Sequence, residues 1–512
     1  MTRTRSPGYH PLLVSTGVRA SATRSPGKVA LSTVEREVTY AALVSRLNRI
    51  VAAATGVLGQ SAGARIGVML PNGIEILELV LGLSDAGLVP VLINPHATAP
   101  EIDHICDDAA LRLLFVHHGL EAQARTAALR GIERIVVVGP EYETLLDGAP
   151  DAEPAVVAEE EDIFAILYTS GTSGQPKGVM LSHRSRTSYM LLAMAANQGR
   201  SRPDLRALAV APLWNGAGFV NGLAAIWFGG SCHIMERFAP EPLLRTIAER
   251  GITTLFLVPT HFHGIFDLPS EVLRRHDVGS LHTIVAGGAA LPQATKERIV
   301  AHFGEGKLFE GYGSTEAGGI TGLRPEDQLR THRSVGRMLT GVEMRIVDDA
   351  GQALPPGTVG EVICRSPMLF HGYLNLDQET REVLRDGWYY SGDLGLLDTE
   401  GYLYIVDRKK NMIVSGAQNV YPREIEEVLH RHPSVADAAV VGQPDPYWGE
   451  VVTAYVVQAA GCTVDATALK EHCAKYLARY KLPKAFQFVD SLPRNANGKV
   501  LHRLLRMEAP SN

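Results

Sequence analysis

Short apolar runs rich in β-branched residues alternate with segments of helical spacing along most of this chain. The stretch ARIGVMLPN at 64–72 reads as a strand ending in a turn at Pro71 and Asn72, followed by a helix over 75–85 and the strand LVPVLI. LRLLFVHH and ERIVVVGP are further buried-strand candidates, and the rhythm resumes with IFAILYTS at 163–170. LRALAVAPLW, SCHIM, ITTLFLVP and LHTIVAGG continue it, separated by helical stretches such as EPLLRTIAERG. Strands that alternate with helices in this way argue for α/β layers with mostly parallel strands.

The texture changes after Gly341, where short extended runs and frequent turns predict an antiparallel, partly barrel-like segment. EGYLYIVDRKKNMIVS reads as two strands joined by a charged turn, and Pro422 stands just inside a helix with the body REIEEVLHRH. VADAAVVGQP and VVTAYVVQA are strands and DATALKEHCAKYLARY a helix, giving a small α+β domain from Lys410 onward. A chain of 512 residues exceeds one ordinary core, and the expected division is 1–409 and 410–512.

Charge and composition exclude several classes. A net charge of −6 supplies no general electrostatic reason to bind nucleic acid. The apolar stretch 73–93 is interrupted by Glu75, Glu78, Asp85 and Pro90, so it is expected as a buried helix and strand instead of a membrane span. The N-terminal MTRTRSPGYHPLL lacks a following apolar stretch and reads as a loose lead-in, not a signal peptide. Five cysteines, far apart and without a CxxC pair, suit a reducing compartment, and a cytoplasmic location is expected. His261 and His263 in PTHFHG are expected as packing or pocket groups, with no third metal ligand evident.

The sharpest local feature is YTSGTSGQPKGV at 168–179. Thr169, Ser170, Gly171, Thr172, Ser173, Gly174 and Lys177 follow a strong apolar strand. Glycines let the backbone turn tightly and approach a ligand, while successive amides, hydroxyls and a mobile lysine charge suit phosphate oxygens. The loop is not a Walker A motif, because Pro176 precedes the lysine where that motif needs glycine.

This loop resembles the phosphate-binding loop of the adenylate-forming superfamily, in its acyl- and aryl-CoA synthetase branch. AGGAAL at 286–291, GYGSTEAG at 311–318, GWYYSGDLG at 387–395, DRKKNMIVSGAQNVYPREIE at 407–426 and NGK at 497–499 resemble further blocks of that family, in the same order and across nearly the whole chain. The resemblance implies a large N-terminal adenylation domain with layered sheets and a β-rich portion, and a small mobile C-terminal domain. It implies ATP-dependent activation of a carboxylic acid to acyl-AMP, with Mg2+, then transfer to coenzyme A. By resemblance, Gly287, Gly288 and Ala289 and the run Glu310, Gly311, Tyr312 and Gly313 wall the AMP, with Tyr312 on the adenine. Thr315 contacts the adenylate phosphate, Glu316 binds magnesium, and Asp393 with Arg408 serves the ribose. Lys499 is the catalytic cation of the first step, Lys410 the hinge, and Gly416 and Ala417 line the passage for the thiol.

Trp214, Asn215, Phe219, His261, Gly288 and Gly313 are the expected acid-pocket residues. Asn215 stands where many of these ligases carry histidine, and Glu310 where glutamine is common. The Glu310 carboxylate is open to two uses, accepting from the adenine amine or binding a polar substrate. Trp448 is open to two readings, coenzyme surface or domain packing. A carrier-protein thiol or an amine is the alternative acceptor, and a non-catalytic interaction protein on the same fold is the remote one.

Overall fold

The computed structural model describes residues 9–154, 158–169, 175–196, 204–415, 418–459, 461–494 and 500–507. The chain divides into two compact units that do not follow chain order simply. The first takes the chain to residue 330 with 338–343 and 364–389, and the second takes 331–337, 344–363 and the chain from 390 onward.

The first unit holds two mainly parallel sheets, as the strand and helix alternation predicts. Seven strands form one of them, in the order Gly372–Tyr373, Lys177–Ser182, Ile163–Thr169, Val89–Leu92, Arg65–Met69, Leu113–His117 and Arg134–Val138. The four pairs from Ile163–Thr169 to Arg134–Val138 are parallel. The helix Ile74–Asp85 is buried on nearly every face, and its buried acids Glu78 and Asp85 are paired with Arg46 and Arg19. Gly82 lets it approach the helix Tyr40–Ala52: a Cβ there would lie 2.7 Å from Ile50 Cγ2. In the other sheet, Leu308–Ser314, Thr283–Ala286, Thr254–Leu257, Arg206–Ala209, Ser231–Ile234 and Val29–Ser32 are successive parallel neighbours. The antiparallel strand Gly318–Leu323 flanks the first of these.

The second unit has the antiparallel character expected of its sequence. Leu403–Arg408 pairs with Trp388–Leu397, placing Arg408 opposite Asp393. A further sheet orders Gln418–Val420, Ile413–Ser415, Gly449–Gln458 and Val435–Asp445, with Ala485–Phe488 alongside Gly449–Gln458 in parallel. The helix Pro422–His430 starts at its proline and buries Ile425, Val428 and Leu429 on this sheet. The last predicted helix is shorter than expected: it runs Ala466–Ala474, capped by Asp465, and the chain turns again at Arg479–Lys481 before Pro483, which cannot continue a helix.

Among the described residues no helix is long and apolar enough to cross a membrane. Cys106, Cys232, Cys364 and Cys473 are buried and Cys462 is exposed. Burial pushes the Cys106, Cys232 and Cys364 thiols up to about 12 and that of Cys473 to about 11.

Candidate active site

The glycine-rich loop connects two antiparallel strands. Ile163–Thr169 and Lys177–Ser182 pair directly, with Thr169 opposite Lys177. The second strand was not visible in the sequence reading, and it makes the loop a hairpin connection where a Walker A loop leads into a helix. Thr169 and Lys177 therefore stand together at its base. Ser170, Gly171, Thr172, Ser173 and Gly174 lie outside the described residues.

Lys177 and Glu316 are joined by a residue that the sequence reading missed. The Lys177 ammonium lies 5.3 Å from the centre of the Tyr373 ring, and the Tyr373 hydroxyl donates to Glu316 Oε1 at 3.0 Å. Tyr373 reaches this place because Gly372–Tyr373 pairs with the Lys177–Ser182 strand, Tyr373 opposite Val179. The Phe370 amide also donates to the Glu316 carbonyl at 2.7 Å. Tyr373→Phe removes one donor from Glu316 and leaves the ring under Lys177. Expected is a rise of about tenfold in the ATP requirement with little change in melting temperature, the scale of a hydrogen bond to a charged group. An unchanged ATP requirement would discard the link.

Thr315 and Glu316 occupy the tip of a hairpin between Leu308–Ser314 and Gly318–Leu323. The turn is possible only with glycine on both arms. A Cβ at Gly313 would fall 1.9 Å from the Gly318 carbonyl oxygen, and Gly318 has a φ of +69°. Gly311 and Tyr312 lie on the same arm, beside Gly287, whose Cβ would meet the Gly311 carbonyl at 3.2 Å. Gly287, Gly288 and Ala289 follow the strand Thr283–Ala286, in which Ala286 pairs with Glu310. The two expected AMP walls are thus neighbours in one sheet.

Glu310 is 5% exposed, and its carboxylate forms an ion pair of 2.5 Å with Lys296, 1% exposed, on the helix Gln293–Phe303. Sequence reading missed Lys296, which sits in an ordinary amphipathic stretch. The carboxylate oxygen that the sequence left open to adenine or to a polar substrate faces this lysine.

The acid-pocket motif meets the adenylate motif at Gly216. A Cβ there would lie 3.7 Å from both Thr315 Oγ1 and Leu167 Cδ2. Asn215 is the N-cap of the helix Gly216–Trp227, and Phe219 on that helix packs 5.8 Å from Phe164, ring to ring. Trp214 meets His96 edge-on at 6.1 Å, and its buried indole N–H has no acceptor among the described residues. The approach to Trp214 is held by Asn72: its amide donates to the Val210, Ala211 and Met235 carbonyls at 3.3, 3.2 and 3.1 Å, while its oxygen accepts from Leu213 at 2.8 Å. His261 stacks on Phe238 at 4.3 Å, and burial pushes its pKa down to about 4, so the ring is neutral at physiological pH. His261 and Gly288 flank Val258, whose amide donates to His261 Nδ1 and whose Cγ1 lies 3.3 Å from a Cβ at Gly288.

In the second unit Asp393 and Arg408 form an ion pair of 2.8 Å. Lys410 lies on the turn Lys409–Asn411, where burial, and then Arg408 and Arg506, depress its pKa. Trp448 is 43% exposed and carries the Lys484 ammonium 3.5 Å from its ring centre. Gly416, Ala417 and Lys499 lie outside the described residues.

Residues 18–374 match the family described as AMP-binding enzyme, and residues 424–499 match the AMP-binding enzyme C-terminal domain. The chain belongs to the AMP-binding enzyme family. A feruloyl-CoA synthase of an Amycolatopsis species is 35% identical over 93% of this chain and 95% of that protein. The fatty acid–acyl-carrier-protein ligase ScoC of Streptomyces coeruleorubidus is 33% identical over 99% of this chain and 98% of that protein. The structure of ATP-bound MatB from Rhodopseudomonas palustris superposes with a TM-score of 0.88 at 31% identity, covering 96% of this chain and 98% of that one. The AMP-binding enzyme is thus an AMP-forming acid–CoA ligase, with ATP and coenzyme A among its substrates.

Magnesium is the ion that accompanies ATP in this family. Glu316 suits such an ion, since Tyr373 occupies one carboxylate oxygen and the other is a hard donor. Among the described residues no group of three His, Cys, Asp or Glu could hold a metal. A site with one protein carboxylate fits magnesium, which takes most of its ligands from phosphate and water.

Proposed function

We propose that this ligase activates a monocarboxylic acid with an uncharged, largely apolar body. The observation that carries this reading is the neutrality of the named pocket residues. Trp214, Asn215, Phe219, Gly288 and Gly313 cannot ionise, and burial holds His261 uncharged. The buried Arg186 lines the same apolar cleft as Phe219 and Gly216, but it donates to the Met368 carbonyl at 3.0 Å and to Ser185 Oγ at 3.3 Å. A second carboxylate on the substrate would be desolvated there without a dedicated partner, which is costly. Ferulate and fatty acids, named for two relatives, both have uncharged bodies.

In the first step a carboxylate oxygen attacks the α-phosphorus of ATP, the bond to the β-phosphate bridging oxygen breaks, and pyrophosphate leaves with the electron pair. Lys177 and the hydroxyl-rich loop steady the departing phosphates, and Thr315 hydrogen-bonds the α-phosphoryl group. Glu316, steadied by Tyr373, would hold magnesium, which would offset phosphate charge. Lys499 stabilises charge spread over the phosphoryl oxygens. Gly287, Gly288, Ala289, Glu310, Gly311, Tyr312 and Gly313 wall the adenosine, Tyr312 stacking on the base, while Asp393 and Arg408 serve the ribose. In the second step the thiol sulfur attacks the acyl carbonyl, AMP leaves, and the thiol proton passes to solvent. Lys410 is the hinge between the two steps, Gly416 and Ala417 line the thiol passage, and the exposed Trp448 and Lys484 suit the coenzyme nucleotide. A cytoplasmic location fits both substrates and the five unpaired cysteines.

The test incubates the protein with Mg-ATP, coenzyme A and ferulate, decanoate or malonate, and reads products by mass spectrometry. Feruloyl-CoA or decanoyl-CoA with AMP is expected, at a rate about a hundredfold above malonate, the discrimination expected when a charged group is buried unpaired. Malonyl-CoA at a comparable rate would overturn the uncharged pocket. The similarity to ScoC favours a second acceptor, a carrier-protein thiol. Acyl-AMP that persists beside coenzyme A, and disappears on adding a pantetheinylated carrier protein, would select that acceptor.

A further inference from the structure

Arg186 is a buried cation with no anion beside it. It stands on the helix His183–Ala196 and is 4% exposed. Its Nε–H donates to Ser185 Oγ at 3.3 Å and its Nη2 to the Met368 carbonyl at 3.0 Å. The guanidinium carbon lies 5.8 Å from the centre of the Tyr189 ring. Among the described residues no carboxylate pairs with it, and burial pushes its pKa down to about 10. An unpaired charge in the interior lowers stability, so folding alone does not call for an arginine here.

The carbonyl that it holds begins a segment leading to Glu316. The Met368 amide donates to Ser366 Oγ at 3.1 Å while Arg186 fastens the Met368 carbonyl, so this residue is held on both sides of its Cα. Further along, the Phe370 amide donates to the Glu316 carbonyl at 2.7 Å, and the Tyr373 hydroxyl donates to the Glu316 carboxylate at 3.0 Å. The Phe370 and Tyr373 rings meet edge-on at 5.0 Å, which couples those two contacts. Residues 368–373 are thus a strap that clasps Glu316 by its main chain and by its side chain, with Arg186 at the anchored end. The same neighbours brace the hairpin arm beyond Glu316. A Cβ at Gly318 would lie 2.9 Å from Met368 Cβ and 3.0 Å from Tyr189 Cδ2.

We propose that Arg186 is a positioning residue for magnesium-ATP: through the Met368 carbonyl it fixes the strap that aims the Glu316 carboxylate. This rests on the role given to Glu316 above. A metal-binding carboxylate works only when its supporting shell holds it in place, and a misplacement of about 1 Å can cost about a hundredfold. The sign of the effect separates aim from charge. Removing a positive charge from the surroundings of Glu316 would, by Coulomb's law alone, strengthen the binding of a cation there. Loss of aim weakens it.

The experiment uses the full-length chain as wild type, Arg186→Met, Tyr373→Phe, Arg186→Met/Tyr373→Phe and Glu316→Gln. Calorimetry measures the binding of α,β-methylene-ATP, which cannot release pyrophosphate, with and without Mg2+. Magnesium should tighten binding to the wild type. In Arg186→Met that gain is expected to shrink about tenfold, while affinity without magnesium stays within about twofold. The melting temperature is expected to stay within about 3 °C of wild type or to rise, since the substitution removes an unpaired buried charge. The double variant should lose less than the product of the two single losses, because both residues act through Glu316. An unchanged or larger gain from magnesium in Arg186→Met would overturn the positioning role alone. So would equal losses with and without magnesium, an additive double variant, or a melting temperature lowered by more than about 3 °C. No gain in the wild type, or the full gain in Glu316→Gln, would overturn the role of Glu316 and the positioning role with it.

Discussion

Lys499→Ala is expected to lower ferulate-dependent pyrophosphate exchange by about 10²- to 10³-fold, the usual cost of removing one fixed group from a developing oxyanion. Negative charge spreads over the phosphoryl oxygens as pyrophosphate departs, and a cation held there stabilises that state more than it stabilises bound ATP. ATP binding should change little, because Lys177 is the cation assigned to the outer phosphates. Transfer from preformed feruloyl-AMP should also survive, because no phosphoryl charge develops when the thiol attacks. Loss of both steps, or a rise in the ATP requirement with the rate preserved, would assign Lys499 to ground-state binding instead.

Lys296→Met is expected to destabilise the first unit by about 3–5 kcal/mol, because it takes the Lys296 ammonium away from the buried Glu310 carboxylate. Glu310→Gln leaves the ammonium in the same position and should cost a similar amount. The double variant Lys296→Met/Glu310→Gln should recover most of the loss, since it removes both charges from an interior that does not solvate them. Urea denaturation followed by fluorescence checks this. Gly311 and Tyr312 continue directly from Glu310, so the single variants should also bind AMP less well. Additive losses in the double variant would mean that the two side chains act independently.

These two lysines mark what a resemblance can assign and what it leaves hidden. Lys499 takes its assignment from a short block that resembles the family's in order with five others, and it lies outside the described residues. Lys296 stays hidden, because an ordinary helical lysine acquires its meaning only when Glu310, on the next strand, comes to face it. Tyr373 is hidden for the same reason. It meets Glu316 across 57 positions of sequence through an edge strand of only two residues, too short for a periodic pattern. Most buried strands of both parallel sheets were readable as apolar runs, since burial on both faces removes the need for polar residues, but Val29–Ser32 and Leu308–Ser314 were missed. The strand Lys177–Ser182 escaped notice because its first residues also belong to the glycine-rich loop motif. Asn72 looked like a turn residue, yet its side chain fastens the approach to Trp214 through four hydrogen bonds.

The uneven burial of the cysteines gives the wild-type sequence a built-in attachment point. Cys106, Cys232, Cys364 and Cys473 are enclosed, and their raised pKa values keep the reactive thiolate scarce. Cys462 alone is exposed, and it belongs to the unit that carries Asp393, Arg408 and Lys410. A maleimide dye or spin label added at neutral pH should therefore couple at one position without any substitution. Reading its signal through a catalytic cycle would follow that unit in an unaltered enzyme, with every residue discussed above in its native form.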